Sequence, residues 1–174
     1  MRGGQQHSTA FVQTGPTNET TTVTYRRGGT VSVTSGFAGM AVLKTAKSAF
    51  AGYLRDRLTT LKETHDRLFG TLATAKWIYA SHGLDYAALR ASVTDVLLKV
   101  FAEHDSLSVQ QTLFAMGKSA LDAVPEITEI RLQMPNKHCN LVDLSAFGQD
   151  NPNHIFVPTD EPHGSIEACL RRGK

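Results

Sequence analysis

Two capped, helically periodic segments, back to back between runs of alternating β-type residues, constrain the fold of this chain more than any other feature. In the first, Asp85 is placed to cap, and Leu89, Val93, Val96, Leu97, Val100 and Phe101 recur at helical spacing as far as Glu103. The second opens on Ser108 and Gln111, an S-x-x-Q capping box. It carries its apolar stripe on Val109, Leu113, Met116 and Leu121 and stops at Pro125. Both stripes need a surface to bury against, and the flanking segments supply it. Ala10–Val12, Thr21–Arg26, Thr30–Thr34 and Thr71–Tyr79 precede the helices, with Gly15-Pro16 and Asn18 as turn signals and Gly28-Gly29 as a hairpin turn. Ile127–Leu132, Ile155–Val157 and Ile166–Leu170 follow them. Strands, two helices, then strands predict an α+β fold, an antiparallel sheet with two long helices packed on one face.

Ile130, Leu132 and Met134 alternate with polar residues at period two, the pattern of a half-buried strand, and Leu141 to Leu144 resumes an extended reading. Between them Pro135 lacks a backbone donor and holds Met134 extended, so the ladder is expected to open there. The opening exposes Asn136, which can donate and accept, and His138, whose imidazole ordinarily titrates near neutrality. A second unusual stretch runs from Ala41 to Arg67. It lacks periodicity and is dense in Lys44, Phe50, Tyr53, Arg55, Asp56, Lys62, Glu63, Asp66 and Arg67, a composition that suggests a ligand wall rather than a core element.

The 174 residues fit one domain, with residues 1–7 expected to be disordered and 8–174 to form the fold. A formal charge of +2 is too mild for a nucleic-acid binder, and no apolar run approaches a membrane span. Cys139 and Cys169 lack CxxC spacing, and the histidines His7, His65, His82, His104, His138, His154 and His163 are scattered without ligand spacing, so no metal site is expected. The cysteine pattern suits a reducing cytoplasm.

The first N–H groups of the second helix have no intrahelical partner, and with the macrodipole they favour an anion or a carbonyl oxygen beside Val109 and Gln110. The Gln110 amide together with the Arg67 guanidinium could grip a planar, amide-rich anion by its edge, and Phe50 could stack on its face. Taken singly, each has a plainer role: Gln110 as a solvated first-turn residue, Arg67 as the ion-pair partner of Asp66 or Glu63, Phe50 as core.

Taken jointly, Thr59-Thr-Leu-Lys-Glu-Thr-His-Asp-Arg67, Ser108-Val-Gln110 and Met134-Pro-Asn-Lys-His138 closely resemble the second half of uricase, the cofactor-independent urate oxidase. The run Val42-Leu-Lys-Thr45 leading to Phe50 and Gly52, and Phe156 to Pro158, fit the same family, and the likeness extends from about Thr9 to Leu170. The resemblance implies a tunnelling-fold domain and oxidation of urate by dioxygen without a cofactor or metal. It also implies a homo-oligomer, a tetramer in the family. Position by position, Arg67 and Gln110 would form the pincer on urate, Phe50 would stack on the purine and the Val109 backbone would add a hydrogen bond. Asn136 would hold dioxygen or water above the ring, and His138 would join a proton relay.

The family is about twice this long, and its Lys–Thr pair that completes the relay belongs to the half absent here. Lys44 and Thr45 do not match that pair. Three readings follow: a partial urate oxidase subunit, completed or not by a separate first-half domain; a catalytically silent shortened domain serving as a structural or binding partner; and, least supported, a metal-dependent pterin enzyme of the same fold.

Overall fold

A computed structural model of the chain describes residues 6–13, 15, 17–161 and 163–173. The opening expected to be disordered falls mostly on residues 1–5, and the Pro16 turn signal on residue 16, all outside the described residues.

The main sheet is six-stranded and antiparallel: β1 (Ala10–Val12) and β2 (Asn18–Tyr25) both pair with β3 (Val31–Lys44). Next to β3 lie β4 (Phe69–Tyr79), β5 (Ile127–Pro135) and β8 (Ser165–Arg171). Between β4 and β5 come α1 (Tyr86–Glu103) and α2 (Val109–Ala123). A separate two-stranded arm joins β6 (Cys139–Leu141) to β7 (Phe156–Pro158). The expected helices form with their expected caps: the Asp85 carboxylate accepts the Ala88 N–H at 3.0 Å and the Ser108 hydroxyl accepts the Gln111 N–H at 3.1 Å. The Gln111 side chain closes the box one residue early, taking the Leu107 N–H rather than that of Ser108.

Strand β3 differs most from expectation, running on to Lys44 instead of stopping at Thr34. Its register against β4 shifts between Phe37 and Met40, where Gly39 takes a φ of 73°. A bulge inserts a residue and reverses the alternation, so the second half of the strand reads from sequence as irregular. Strand β5 behaves as expected. Ile130, Leu132 and Met134 are fully buried, and the strand ends at Pro135.

The core lies between sheet and helices, where Trp77, Phe69, Leu97, Phe101, Leu113, Ile127, Ile130 and Leu132 are almost wholly covered. Among the described residues the opposite face carries no α-helix. Arg131 and Glu167 pair across it at 3.3 Å, and Arg171 and Glu129 at 2.6 Å. Every residue of β2 is exposed, and among the described residues its outer edge carries no strand.

Neither helix has a basic residue in its last turn, yet each C-terminus receives a cation from the sheet. The Lys44 ammonium at the end of β3 donates to the Phe101 and His104 carbonyls at 3.4 and 2.5 Å. The Arg172 guanidinium after β8 donates to those of Leu121, Val124 and Ile127. Carbonyls without intrahelical partners are thereby satisfied, and the negative end of each macrodipole meets a positive charge.

Strands β3 and β4 approach so closely at Gly36 that an added Cβ would lie 2.4 Å from the Ala75 carbonyl oxygen. Gly36→Ala is expected to destabilise the fold by about 1–3 kcal/mol, since backbone rather than a side-chain tip would have to yield. Urea denaturation checks this, and an unchanged midpoint would contradict the packing described.

Candidate active site

Beyond Lys44 the chain leaves the main sheet and becomes the middle of a small irregular ladder. On one side the Ala49 and Ala51 N–H groups donate to the Ser106 and Leu107 carbonyls at 2.7 and 3.1 Å, and Ser106 N–H donates to Lys47 at 3.0 Å. On the other, Phe50 and Thr64 exchange hydrogen bonds of 2.6 and 3.0 Å, and Arg67 N–H donates to Ser48 at 3.1 Å. Residues 104–107 run directly into the Ser108 cap. The ladder therefore sets Phe50, Arg67 and the first turn of α2 side by side, although they are far apart in sequence.

Arg67 is the centre of this arrangement. Its Nε donates to the Ala49 carbonyl at 2.9 Å, its Nη1 to the Asn136 Oδ1 at 3.4 Å, and its guanidinium lies 5.2 Å from the centre of the Phe69 ring. Nη2 is buried and has no partner among the described residues. The anticipated ion pairs do not form: Asp66 accepts from the Asn153 side chain at 2.8 Å, and Glu63 accepts the Gly52 N–H at 2.9 Å. Burial pulls the guanidinium below its ordinary value, but arginine stays protonated at any accessible pH. A partly desolvated cation with an unmet donor and no carboxylate paired with it among the described residues favours an anionic ligand with acceptors at its edge.

The neighbouring groups suit such a ligand. Phe50 is half-buried, with Tyr53 stacked on its ring at 4.7 Å between centroids. Val109 is buried and Gln110 exposed, and both occupy the first turn of α2, where N–H groups lack intrahelical acceptors. Past Pro135 the chain crosses to β4, with Lys137 N–H donating to Gly70 at 3.0 Å, while Asn136 N–H donates to Gly164 at 3.0 Å. This crossing brings the Asn136 amide to Arg67. His138 follows, exposed, its carbonyl accepting the Thr159 N–H at 3.1 Å.

The structure therefore brings Arg67, Asn136, Phe50 and the start of α2 to one locality and puts His138 two residues beyond Asn136. Sequence reasoning missed the Ala49 carbonyl that aims Arg67 and the Asp66 to Asn153 link that ties the β6–β7 arm to the Arg67 segment. Neither has a sequence signal, since one is a backbone acceptor and the other pairs residues on separate loops. Lys44, read as part of a ligand wall, is completely buried beneath the ladder instead. Among the described residues no group of three or more His, Cys, Asp or Glu side chains could hold a metal ion, and no helix is long and apolar enough to cross a membrane.

A bulged antiparallel sheet with two helices on one face and a polar cluster where the strands open defines a domain of the tunnelling-fold class. Comparison with known proteins narrows this: the Uricase family model matches residues 33–167. The chain belongs to the uricase family. A uricase of Arthrobacter globiformis is 48% identical over 141 residues, which cover 81% of this chain and 47% of that protein. One of Oryctolagus cuniculus is 36% identical over 177 residues, or 98% of this chain and 59% of its own length. The crystal structure of the Arthrobacter globiformis uricase superposes with a TM-score of 0.80 at 47% identity, over 83% of this chain and 50% of that one. Urate oxidase from Bacillus sp. TB-90, at 21% identity, shares the fold with a TM-score of 0.68 over 90% of this chain and 55% of its own. The chain thus spans about half the length of the relatives it matches.

Proposed function

We propose that this chain provides the substrate-gripping half of a urate oxidase, which converts urate, dioxygen and water to 5-hydroxyisourate and hydrogen peroxide. Arg67 carries the reading. Its half-buried guanidinium keeps the buried Nη2 unpaired and meets no carboxylate among the described residues, the state expected of a group awaiting an anion. Arg67 and Gln110 grip the edge of the urate anion, the Val109 backbone N–H adds a hydrogen bond and Phe50 lies against the purine face. With Oδ1 turned to Arg67, the Asn136 amide nitrogen is left to donate to dioxygen or water above the ring, and His138 moves protons.

No cofactor is needed in this scheme. An electron-rich urate anion can itself give an electron to dioxygen, and the protein orients the reactants and handles protons. Residues 8–174 act as one domain, in a cytoplasmic homo-oligomer or beside a separate first-half domain. Spectroscopic titration with urate under anaerobic conditions tests the proposal. Saturable binding is expected, and its absence would overturn the reading in favour of a silent domain with a structural or binding role.

Purified protein is expected to carry no stoichiometric transition metal, and chelators to leave urate binding unchanged. Elemental analysis finding one zinc, iron or copper per chain would contradict the scheme.

A further inference from the structure

We propose that Lys44 is a positioning residue for the pocket: by fastening the C-terminal carbonyls of α1 to the end of β3, it fixes residues 104–110 and, through them, Phe50 and the first turn of α2. The inference rests on the proposed urate site for its functional meaning, but its structural core stands apart from it.

Lys44 is fully buried, an unusual place for an ammonium without a carboxylate in contact. Its Nζ donates to the carbonyls of Phe101 and His104 and lies 5.9 Å from the centre of the Phe101 ring. His104 is the last residue before the strand-like segment whose Ser106 and Leu107 carbonyls hold the Ala49 and Ala51 N–H groups. The His104 ring is fastened as well, its Nδ1 3.2 Å from the Thr112 hydroxyl in α2. One side chain thus links β3, the end of α1 and the lead-in to α2, and the ladder that carries Phe50 is built on that link.

Such a placement opposes stability while favouring one geometry. Desolvation lowers Lys44 from 10.5 to about 8, with Asp105 opposing the shift and Lys47 and Arg67 adding to it. Burial and the Lys44 charge likewise lower His104, favouring its neutral form, with Asp105 opposing. Because the folded value lies below the unfolded one, the native state releases this proton first. The Lys44 contribution to stability therefore rises with pH from about 8 to 10.5. Over the same interval the charge facing the α1 carbonyls disappears, and the link slackens. Global stability and local order at the ladder thus move in opposite directions, which an ordinary packing residue would not produce.

Hydrogen exchange on the 174-residue chain reads this directly. In Lys44→Met, which keeps the apolar stem, the amides of Ala49, Ala51 and Ser106 are expected to lose about tenfold or more of their protection, while core amides of β4 and β5 keep theirs. The unmodified chain provides a second measurement needing no variant. Between pH 7 and 9.5, after correction for intrinsic exchange, protection of those three amides is expected to fall while that of the core does not. Unchanged protection at the three amides, or an equal loss throughout the core, would overturn the inference. Anaerobic urate titration separates the two proposals. A wild-type chain that does not bind urate would refute the functional reading and leave the exchange result to decide the role of Lys44. If it does bind, Lys44→Met should weaken binding about tenfold, a change equivalent to about 1.4 kcal/mol, and undiminished affinity would count against the inference.

Discussion

Replacing Arg67 with alanine is expected to abolish measurable urate binding, and replacing Gln110 with alanine to weaken it less. The guanidinium is half-buried, aimed by the Ala49 carbonyl and the Asn136 amide, and its buried Nη2 has no partner among the described residues. An anionic edge left without a partner in such a place should cost about 1–3 kcal/mol for a neutral hydrogen bond and more where charge is involved. Gln110 is exposed, so water can substitute for part of its contribution. Arg67→Lys should recover little, because an ammonium cannot reproduce the planar fork that meets Ala49, Asn136 and a ligand together. Calorimetry with urate under anaerobic conditions measures all three variants. Affinity unchanged in both alanine variants would place the pocket elsewhere.

The second large effect concerns turnover. The proposed site draws on Arg67, Gln110, Asn136 and His138, whereas the resemblance to uricase implies that a Lys–Thr pair completing the relay belongs to the half that this chain does not match. Positioned proton transfer is typically worth 10²–10⁴-fold, so the chain alone should oxidise urate slower by about that factor than the chain supplied with a first-half domain. Binding should outlast catalysis. The uncovered edge of β2 should also make the lone chain prone to associate, since unpaired strand groups seek another strand. Urate absorbance and light scattering, with and without a co-expressed first-half domain, follow both effects. Full turnover by a monodisperse monomer would show that the site is complete within these residues.

The helices were legible because capping and apolar spacing are local, and Asp85, Ser108 and Pro125 mark their limits almost to the residue. The break at Pro135 was legible for the same reason: a missing donor is a property of the residue itself. The second half of β3 was not. The bulge at Gly39 shifts the alternation, and a period-two reading loses a strand whose phase changes midway. Lys44 was misplaced because a lysine ordinarily marks solvent, and only the carbonyls of a helix distant in sequence make its burial tolerable. For Arg67 the sequence left open a mundane ion pair with Asp66 or Glu63. Geometry removed it by giving both carboxylates other partners.

The links that assemble the pocket all span long stretches of chain: Arg67 meets Asn136 across 69 residues, and Lys44 meets Phe101 and His104 across 57 and 60. Closing such loops costs entropy before any contact rewards it, and folding slows as contacts become less local. The helices can form early, each within its own sequence, but the pocket cannot nucleate by itself. It should appear last in refolding, after the sheet has registered, and a ribosome-bound chain that has not yet emitted β5 also lacks Asn136 and His138. Competence to bind urate would then report completed folding more faithfully than helix content does.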